Sequence, residues 1–170
     1  MKVLKFGGSS VANSENIKKV LDIVFNTSKN NKIAVVVSAF GKTTDKLFAG
    51  ANEALDDITA AKVILETIKV LHYQVIDDLI YKKKAEVSKE VTALFSRLLS
   101  MYEGVFLQQE LSDKTLAKVY SFGERLSSYI IANAAKELFD ATHQESRYLI
   151  STNNEYLNAQ VNFKITNKNI

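Results

Sequence analysis

The chain has 170 residues, of which 46% are hydrophobic and 24% charged, a balance typical of one folded globular domain rather than a disordered segment. It has no cysteine, which excludes a disulfide framework, a thiolate zinc site and a cysteine nucleophile. The net charge of +3 is too small to indicate a nucleic-acid-binding surface, so we expect no nucleic-acid partner. No apolar run reaches the roughly 18 residues of a membrane span, so we expect no membrane partner and a cytoplasmic location.

The first forty residues predict a βαβ unit. An apolar run at residues 3–6, ended by Gly7 and Gly8, indicates a short strand. A β-branched run at residues 33–37 predicts a second strand, covered on both faces and parallel to the first. Between the strands, apolar residues recur at helical spacing after an expected N-cap at Asn13 or Ser14. The predicted apolar face of this helix comprises Ile17, Val20, Leu21, Val24 and Phe25.

The middle of the chain is predicted to be helical. Residues 45–101 contain three apolar sets at helical spacing and no proline, which predicts a hairpin-like helical segment. The lysines at 82–84 are expected to form a solvated helix end. Another helix is predicted over about residues 113–138, interrupted at Gly123. Short strands are predicted at residues 148–150 and 161–165.

A glycine pair within residues 5–10 follows the first predicted strand. Ligands of open α/β sheets bind at the carboxyl ends of the strands. Two glycines let backbone N–H groups approach an anion closely, and Lys5 adds a positive charge. The pattern predicts a phosphate-binding turn. The alternative is an ordinary turn with Lys5 extending to solvent.

Hydroxyl-bearing residues at 38–45 follow the second predicted strand and should lie at the same sheet edge. The Gly-Lys-Thr sequence at 41–43 suggests a P-loop, but that motif needs a glycine at position 36, which is Val36. The segment therefore either contacts a ligand or simply caps the next helix. The candidate caps are Thr43, Thr44 and Asp45.

The third candidate site lies at residues 121–125. Gly123 costs about 1 kcal/mol relative to alanine inside a helix, so it predicts a break and a restart. Ser121 and Glu124 fit a capping box, in which Glu124 caps only its own helix. The alternative is a carboxylate directed at a cationic group of a ligand, such as an ammonium.

Three further features favour structural roles. His72 lies on an apolar helix face, which is typical of a packed residue. Asp77 and Asp78 are adjacent on a predicted helix and point in different directions, so a joint metal site is not expected. Arg147 is expected to pair with a carboxylate.

Together, residues 5–11, 37–47 and 121–128 resemble, in this order, three sequence blocks of the aspartate kinases of the amino acid kinase superfamily. The similarity covers essentially the whole chain. It implies an α/β fold, an α/β/α sandwich with a mostly parallel sheet, that carries a helical insertion over about residues 46–112. This resembles the large-insert aspartokinases, including those fused to homoserine dehydrogenase.

The resemblance implies phosphoryl transfer from ATP, bound with Mg²⁺, to the β-carboxylate of L-aspartate, on the route to lysine, threonine and methionine. Lys5 is implied to be catalytic, by neutralising the transferred phosphoryl group. The residues implied to bind the ATP phosphates are Lys5, Gly7, Gly8 and Ser9. Those implied to bind aspartate are Ser38, Ala39, Thr44 and Glu124, with Glu124 on the ammonium. No protein nucleophile is needed, because the acceptor carboxylate is ionised at pH 7, and no residue is implied as a metal ligand.

The sequence departs from the family pattern in two ways. Glu145 stands where an aspartate is common in an Asp-x-Arg element. The family's arginine motif for the aspartate α-carboxylate, its nucleotide-base contacts and its regulatory ACT domains do not occur in residues 1–170. We therefore expect the chain to be the N-terminal part of a kinase domain and to be inactive alone. The resemblance also implies that the parent protein is a homo-oligomer.

Two alternatives stay open. One is another phosphotransferase of the same superfamily, acting on glutamate, acetylglutamate or uridylate, although the second and third blocks disfavour it. The other is a binding or assembly module that keeps the fold without catalysis.

Overall fold

The computed structural model describes all of residues 1–170. Most of the chain is helical, and its two strands form a small parallel sheet. The strands are β1 (Lys2–Phe6) and β2 (Ile33–Val37). The α-helices are α1 (Ser14–Ser28), α2 (Thr43–Glu53), α3 (Ile58–Leu79), α4 (Lys84–Gln108), α5 (Asp113–Lys136) and α6 (Phe163–Asn169). Short 3₁₀ helices lie at Gly8–Val11, Ser146–Tyr148 and Tyr156–Asn158.

The two strands are parallel, as predicted, with Lys2 beside Ile33 and Phe6 beside Val37. One face of the sheet packs on the hydrophobic core through residues such as Leu4. The other face is open, since Val3 is 63% exposed and Val36 is 51% exposed. The prediction that the second strand is covered on both faces is therefore wrong for this chain. Its β-branched run is compatible with burial on both sides, but the helices present here cover one side.

Helix α1 begins where the sequence indicates. The Asn13 side chain accepts a hydrogen bond from the backbone N–H of Asn16, which satisfies one of the unpaired donors of the first turn. Four of the five predicted apolar positions are buried, whereas Phe25 is partly exposed and stacks on Phe139. The buried residues of this helix are Ile17, Val20, Leu21 and Val24.

The predicted helical middle is confirmed. Helices α3 and α4 are joined by residues 80–83 and pack against each other as a hairpin, and α2 packs on α3 and α5. The side chains of Lys82, Lys83 and Lys84 are exposed at the start of α4, as expected. His72 is fully buried between the rings of Phe40 and Phe95, which confirms that it is a packed residue.

Helix α5 runs without a break through Gly123, so the predicted interruption is wrong. A β-carbon at position 123 would lie 2.7 Å from the β-carbon of Ala39. The glycine is therefore needed for close packing of α5 on the segment after β2, not for a turn. Ser121 donates its hydroxyl to the carbonyl of Lys118 and caps no helix, so the capping-box interpretation is also wrong.

The two short strands predicted near the end of the chain are wrong. Tyr148 ends a 3₁₀ helix, and α6 begins at Phe163, where the Asn162 side chain accepts a hydrogen bond from the N–H of Ile165. An isolated antiparallel bridge joins Thr152 to Val161. Apolar runs this short are ambiguous between helix and strand, and local asparagine capping favours the helix here.

None of the helices is both long and apolar enough to cross a membrane.

Candidate active site

The first two sequence blocks meet at the carboxyl ends of β1 and β2. The N–H of Ser38 donates to the carbonyl of Phe6 at 3.1 Å, which extends the parallel pairing past the strand ends. The N–H of Gly41 donates to the carbonyl of Gly8, also at 3.1 Å. The glycine loop after β1 is thus hydrogen-bonded directly to the loop after β2.

Gly8 and Gly41 make this contact possible for different reasons. A β-carbon on Gly8 would lie 3.0 Å from the carbonyl oxygen of Gly41 and 3.1 Å from that of Ala39, so the two backbones can approach only with glycine at position 8. Gly41 has a φ of +51°, in the left-handed region that side chains disfavour. The sequence indicated a permissive turn at these positions but not this contact between loops.

The loop after β1 has the features of an anion cradle. The backbone N–H of Gly7, which lies in no helix or strand, donates no hydrogen bond. Gly8 and Ser9 are the first residues of a 3₁₀ helix, so their N–H groups have no partner within that helix, and they donate to no other group. The Lys5 ammonium lies 3.5 Å from the position that a β-carbon on Gly7 would occupy. Lys5 is exposed and enters none of the ion pairs. A free ammonium therefore lies beside free N–H donors, which suits phosphate.

The third block reaches the same place from α5. Glu124 Oε1 accepts a 3.4 Å hydrogen bond from the N–H of Ala39. One turn further along α5, the hydroxyl of Ser127 donates to the carbonyl of Ser38 at 2.8 Å. Helix α5 therefore fixes the backbone of the segment after β2 at two successive residues.

Thr44 completes this side of the site. Its hydroxyl lies 3.8 Å from the position that a β-carbon on Gly123 would occupy, so it is adjacent to α5. Thr44 and Glu124 are exposed, and Ser38 is half-buried, so their polar groups are accessible. Ala39 is buried, and it is its backbone N–H that contacts Glu124. All the predicted site residues thus lie at one edge of the sheet.

Helix capping does not account for the threonines of the second block. Helix α2 begins at Thr43 and has no side-chain cap. The buried Thr43 hydroxyl donates to the carbonyl of Phe40, which closes the turn, and Thr44 and Asp45 make no capping bond. The structure thus leaves the Thr44 hydroxyl available to a ligand.

Sequence reasoning missed Ser127. It lies three positions after Glu124, on the same helical face, and that spacing could have indicated a shared target. The pairing expected for Arg147 is confirmed: Glu145 accepts a hydrogen bond from Arg147 and also forms an ion pair with Arg125. The arginine partners hold the pKa of Glu145 below its usual range, the hydrogen bond from Arg147 contributing most.

The adjacent aspartates on α3 do not form a joint site. Asp78 accepts hydrogen bonds from Ser14 and Gln74, whereas Asp77 pairs with Lys84 at 2.7 Å. The hydrogen bond from Ser14 is the largest contribution that lowers the pKa of Asp78. No three His, Asp or Glu side chains of the chain come together as a metal-binding group.

Comparison with known protein families matches residues 1–161 to the Amino acid kinase family. A bifunctional aspartokinase/homoserine dehydrogenase of Buchnera aphidicola is 28% identical, over 100% of this chain and 21% of that protein. Aspartokinase 1, chloroplastic, of Arabidopsis thaliana is 35% identical, over 76% of this chain and 22% of that protein. The aspartokinase of Chlamydia pneumoniae is 30% identical, over 96% of this chain and 34% of that protein. The chain thus spans about a fifth to a third of the length of these relatives.

Solved structures share the fold over nearly the whole chain. Escherichia coli aspartokinase III in complex with lysine and aspartate matches with a TM-score of 0.84 and 21% identity, over 99% of this chain and 36% of that one. The same enzyme in complex with aspartate and ADP matches with a TM-score of 0.83 and 23% identity, over the same shares of the two chains.

Proposed function

Because the chain belongs to the amino acid kinase family, we propose that the whole protein is an aspartokinase that transfers the γ-phosphoryl group of ATP to the β-carboxylate of L-aspartate. The observation that carries this proposal is the meeting of three separated sequence blocks at one edge of the sheet, through the contacts of Gly8 with Gly41 and of Ala39 with Glu124. The relatives named aspartokinase and the structural neighbour with bound aspartate and ADP support the same substrates.

The glycine loop is proposed to hold the ATP phosphates. The free N–H groups of Gly7, Gly8 and Ser9 would donate to phosphate oxygens, and the Lys5 ammonium would neutralise charge on the transferred group. Phosphoryl transfer depends mainly on positioning and charge neutralisation, so the reaction needs no covalent intermediate with the protein. Magnesium would enter as the ATP complex, with phosphate oxygens among its ligands.

The opposite side is proposed to hold aspartate. The accessible Glu124 carboxylate would pair with the substrate ammonium, and the Thr44 hydroxyl and Ser38 would line the same pocket. Ala39 contributes backbone, held in place by Glu124. A β-carboxylate oxygen of aspartate attacks the γ-phosphorus, the bond from that phosphorus to the β–γ bridging oxygen breaks, and ADP leaves with the bond's electrons. The product is 4-phospho-L-aspartate, an intermediate on the route to lysine, threonine and methionine.

The decisive test is replacement of Lys5 by alanine in the whole protein. We expect kcat to fall about 10²–10³-fold, as when one preorganised donor to transition-state charge is removed. Lys2→Ala is the matched control, because Lys2 is an exposed lysine at the other end of the same strand. An unchanged kcat for Lys5→Ala in a coupled ADP-release assay would show that the catalytic role is wrong.

Acceptor choice is tested separately with Glu124→Gln. The KM for aspartate should rise about tenfold, as expected for loss of a charge-assisted contact, while the KM for ATP stays the same. Comparing turnover of the unmodified protein with aspartate, glutamate, acetylglutamate and UMP distinguishes an aspartokinase from other phosphotransferases of the family. Turnover with none of these acceptors would favour a binding or assembly role.

A further inference from the structure

All three arginines of the chain line one cavity. The sequence contains Arg97, Arg125 and Arg147 and no other arginine, and its remaining basic residues are lysines. The cavity has a volume of about 340 Å³ and lies between α4, α5 and residues 143–148. This volume is in the range of small-molecule sites. Its wall also includes Glu90, Glu145, His143 and Tyr129.

The arginines retain most of their hydrogen-bonding capacity. Arg125 uses its Nε on Glu145 Oε1 at 3.2 Å, and Arg147 uses its Nε on the same oxygen. Arg97 takes part in none of the ion pairs of the chain and in no side-chain hydrogen bond. The terminal nitrogens of all three guanidinium groups therefore have no hydrogen-bond partner within the protein. These nitrogens form the planar fork that binds carboxylate and phosphate oxygens in bidentate fashion.

Positive charge is in excess in this cavity. Three guanidinium groups face the two carboxylates of Glu90 and Glu145. The pKa of Arg125 lies below its usual value, and burial is the main cause. Repulsion from Arg147 and Arg97 lowers this pKa further, whereas Glu145 raises it. An added anion would relieve this repulsion.

The cavity is separate from the proposed active site, although both use α5. Glu124 extends to the N–H of Ala39, whereas its neighbour Arg125 lies over the Phe122 ring at 4.5 Å and pairs with Glu145. Successive residues of a helix point about 100° apart, so the two side chains serve different faces of α5.

From this convergence we infer that the cavity is a binding site for a small oxyanion, phosphate or carboxylate, held by the free guanidinium forks of Arg97, Arg125 and Arg147. The site does not depend on the proposed kinase reaction, and it is distinct from the glycine loop at Lys5.

Nuclear magnetic resonance of the arginine side chains tests the site directly, because the chain gives only three arginine Nε signals. Inorganic phosphate and succinate, each titrated at constant ionic strength, should move these signals saturably with dissociation constants in the millimolar range. The ring signals of His143, in the cavity wall, should move with them, whereas those of the buried His72 should not. If phosphate alone or succinate alone binds, the ligand class narrows to that anion.

Variants at exposed positions separate the site from general charge effects. Arg97→Gln should weaken binding about tenfold, the loss expected for one charge-assisted contact, without unfolding the protein, because Arg97 is exposed and unpaired. Lys89→Gln removes the same charge from the exposed face of the same helix and should leave binding unchanged. Lys5→Ala should also leave the phosphate-induced shifts of the cavity signals unchanged, because phosphate bound at the glycine loop occupies a different site. Absence of saturable shifts, or equal weakening by Arg97→Gln and Lys89→Gln, would overturn the inference.

Discussion

His72 is a titratable side chain enclosed in the hydrophobic core. Its Nδ1 lies 2.8 Å from the carbonyl oxygen of Ile68, its Nε2 is buried without a hydrogen-bond partner, and its ring stacks on Phe40 at 4.9 Å between centroids. Burial lowers the pKa of His72 from 6.5 to about 4, because a charged imidazolium would lose its hydration there. Phe40 follows Ala39 in the chain, so this residue supports the segment that carries the proposed aspartate site.

We expect His72 to make the folded state sensitive to acid. Below about pH 6.5 the unfolded chain takes up a proton on this side chain, whereas the folded chain does so only near pH 4. The free energy of unfolding should therefore fall as the pH drops from about 6.5 to 4, by about 3 kcal/mol in total from this residue. Urea denaturation at several pH values measures the effect.

The control for this prediction is His72→Leu, which keeps an apolar side chain in the core and removes the titration. The variant should be within about 1 kcal/mol of the unmodified protein at pH 7, because it also removes an unsatisfied buried nitrogen. Between pH 6.5 and 4 it should lose less stability than the unmodified protein. Parallel pH profiles for the two proteins would contradict the prediction.

At the scale of elements, α5 is the helix on which the proposed sites depend. Glu124 and Ser127 contact the segment after β2, Arg125 lines the arginine cavity, and Gly123 allows α5 to approach Ala39. An uninterrupted helix fixes these side chains relative to one another. Ligand binding in the cavity and at the active site would therefore act on the same rigid element.

Gly123 and Gly104 are both helical glycines, but substitution by alanine should affect stability in opposite directions. In α5 a β-carbon on Gly123 would lie 2.7 Å from the Ala39 side chain, so Gly123→Ala should destabilise the protein by about 1–3 kcal/mol, as overpacking does. In α4 a β-carbon on Gly104 would meet nothing closer than the Gln108 side chain at 4.0 Å. Gly104→Ala should therefore stabilise by about 1 kcal/mol through helix propensity. Urea denaturation of both variants checks the signs, and a stabilising Gly123→Ala would refute the packing role.

Local signals explain which elements could be predicted. The α1 cap at Asn13, the parallel strand pair and the helical middle depend on neighbouring residues, and all three are confirmed. The prediction of a helix break at Gly123 was wrong, because the low helix propensity of glycine does not reveal that Ala39, from a distant segment, packs against this position. The strands predicted at residues 148–150 and 161–165 were wrong because a few apolar residues cannot distinguish a strand from a short helix.

At the scale of the whole molecule, we expect the 170-residue chain, which spans about a fifth to a third of its relatives' length, to supply only part of the site that the proposed reaction requires. Its only three arginines line the arginine cavity, which is separate from the proposed aspartate site at Thr44 and Glu124. The family resemblance assigns that arginine and the nucleotide-base contacts to segments outside the three blocks. One face of the sheet, beside Lys5, is also open to solvent.

We therefore expect the isolated chain to show little or no phosphoryl transfer from ATP to aspartate. The measurement is ADP release with both substrates, compared with the whole protein at equal concentration. Circular dichroism of the same sample establishes that the isolated chain is folded. Turnover of the folded chain near that of the whole protein would contradict this prediction.

The sequence by itself determined the family resemblance, the helical middle and the identity of the candidate site residues, because these depend on residue types and short spacings. The tertiary structure decided which residues meet. Ala39 and Glu124 are 85 positions apart, and nothing in their local sequence predicts the hydrogen bond between them. The three arginines lie on α4, on α5 and in a 3₁₀ helix, and only packing of these elements brings them to one cavity. Hydrophobic burial sets this packing across the whole chain, so contacts between distant segments cannot be inferred from periodicity alone.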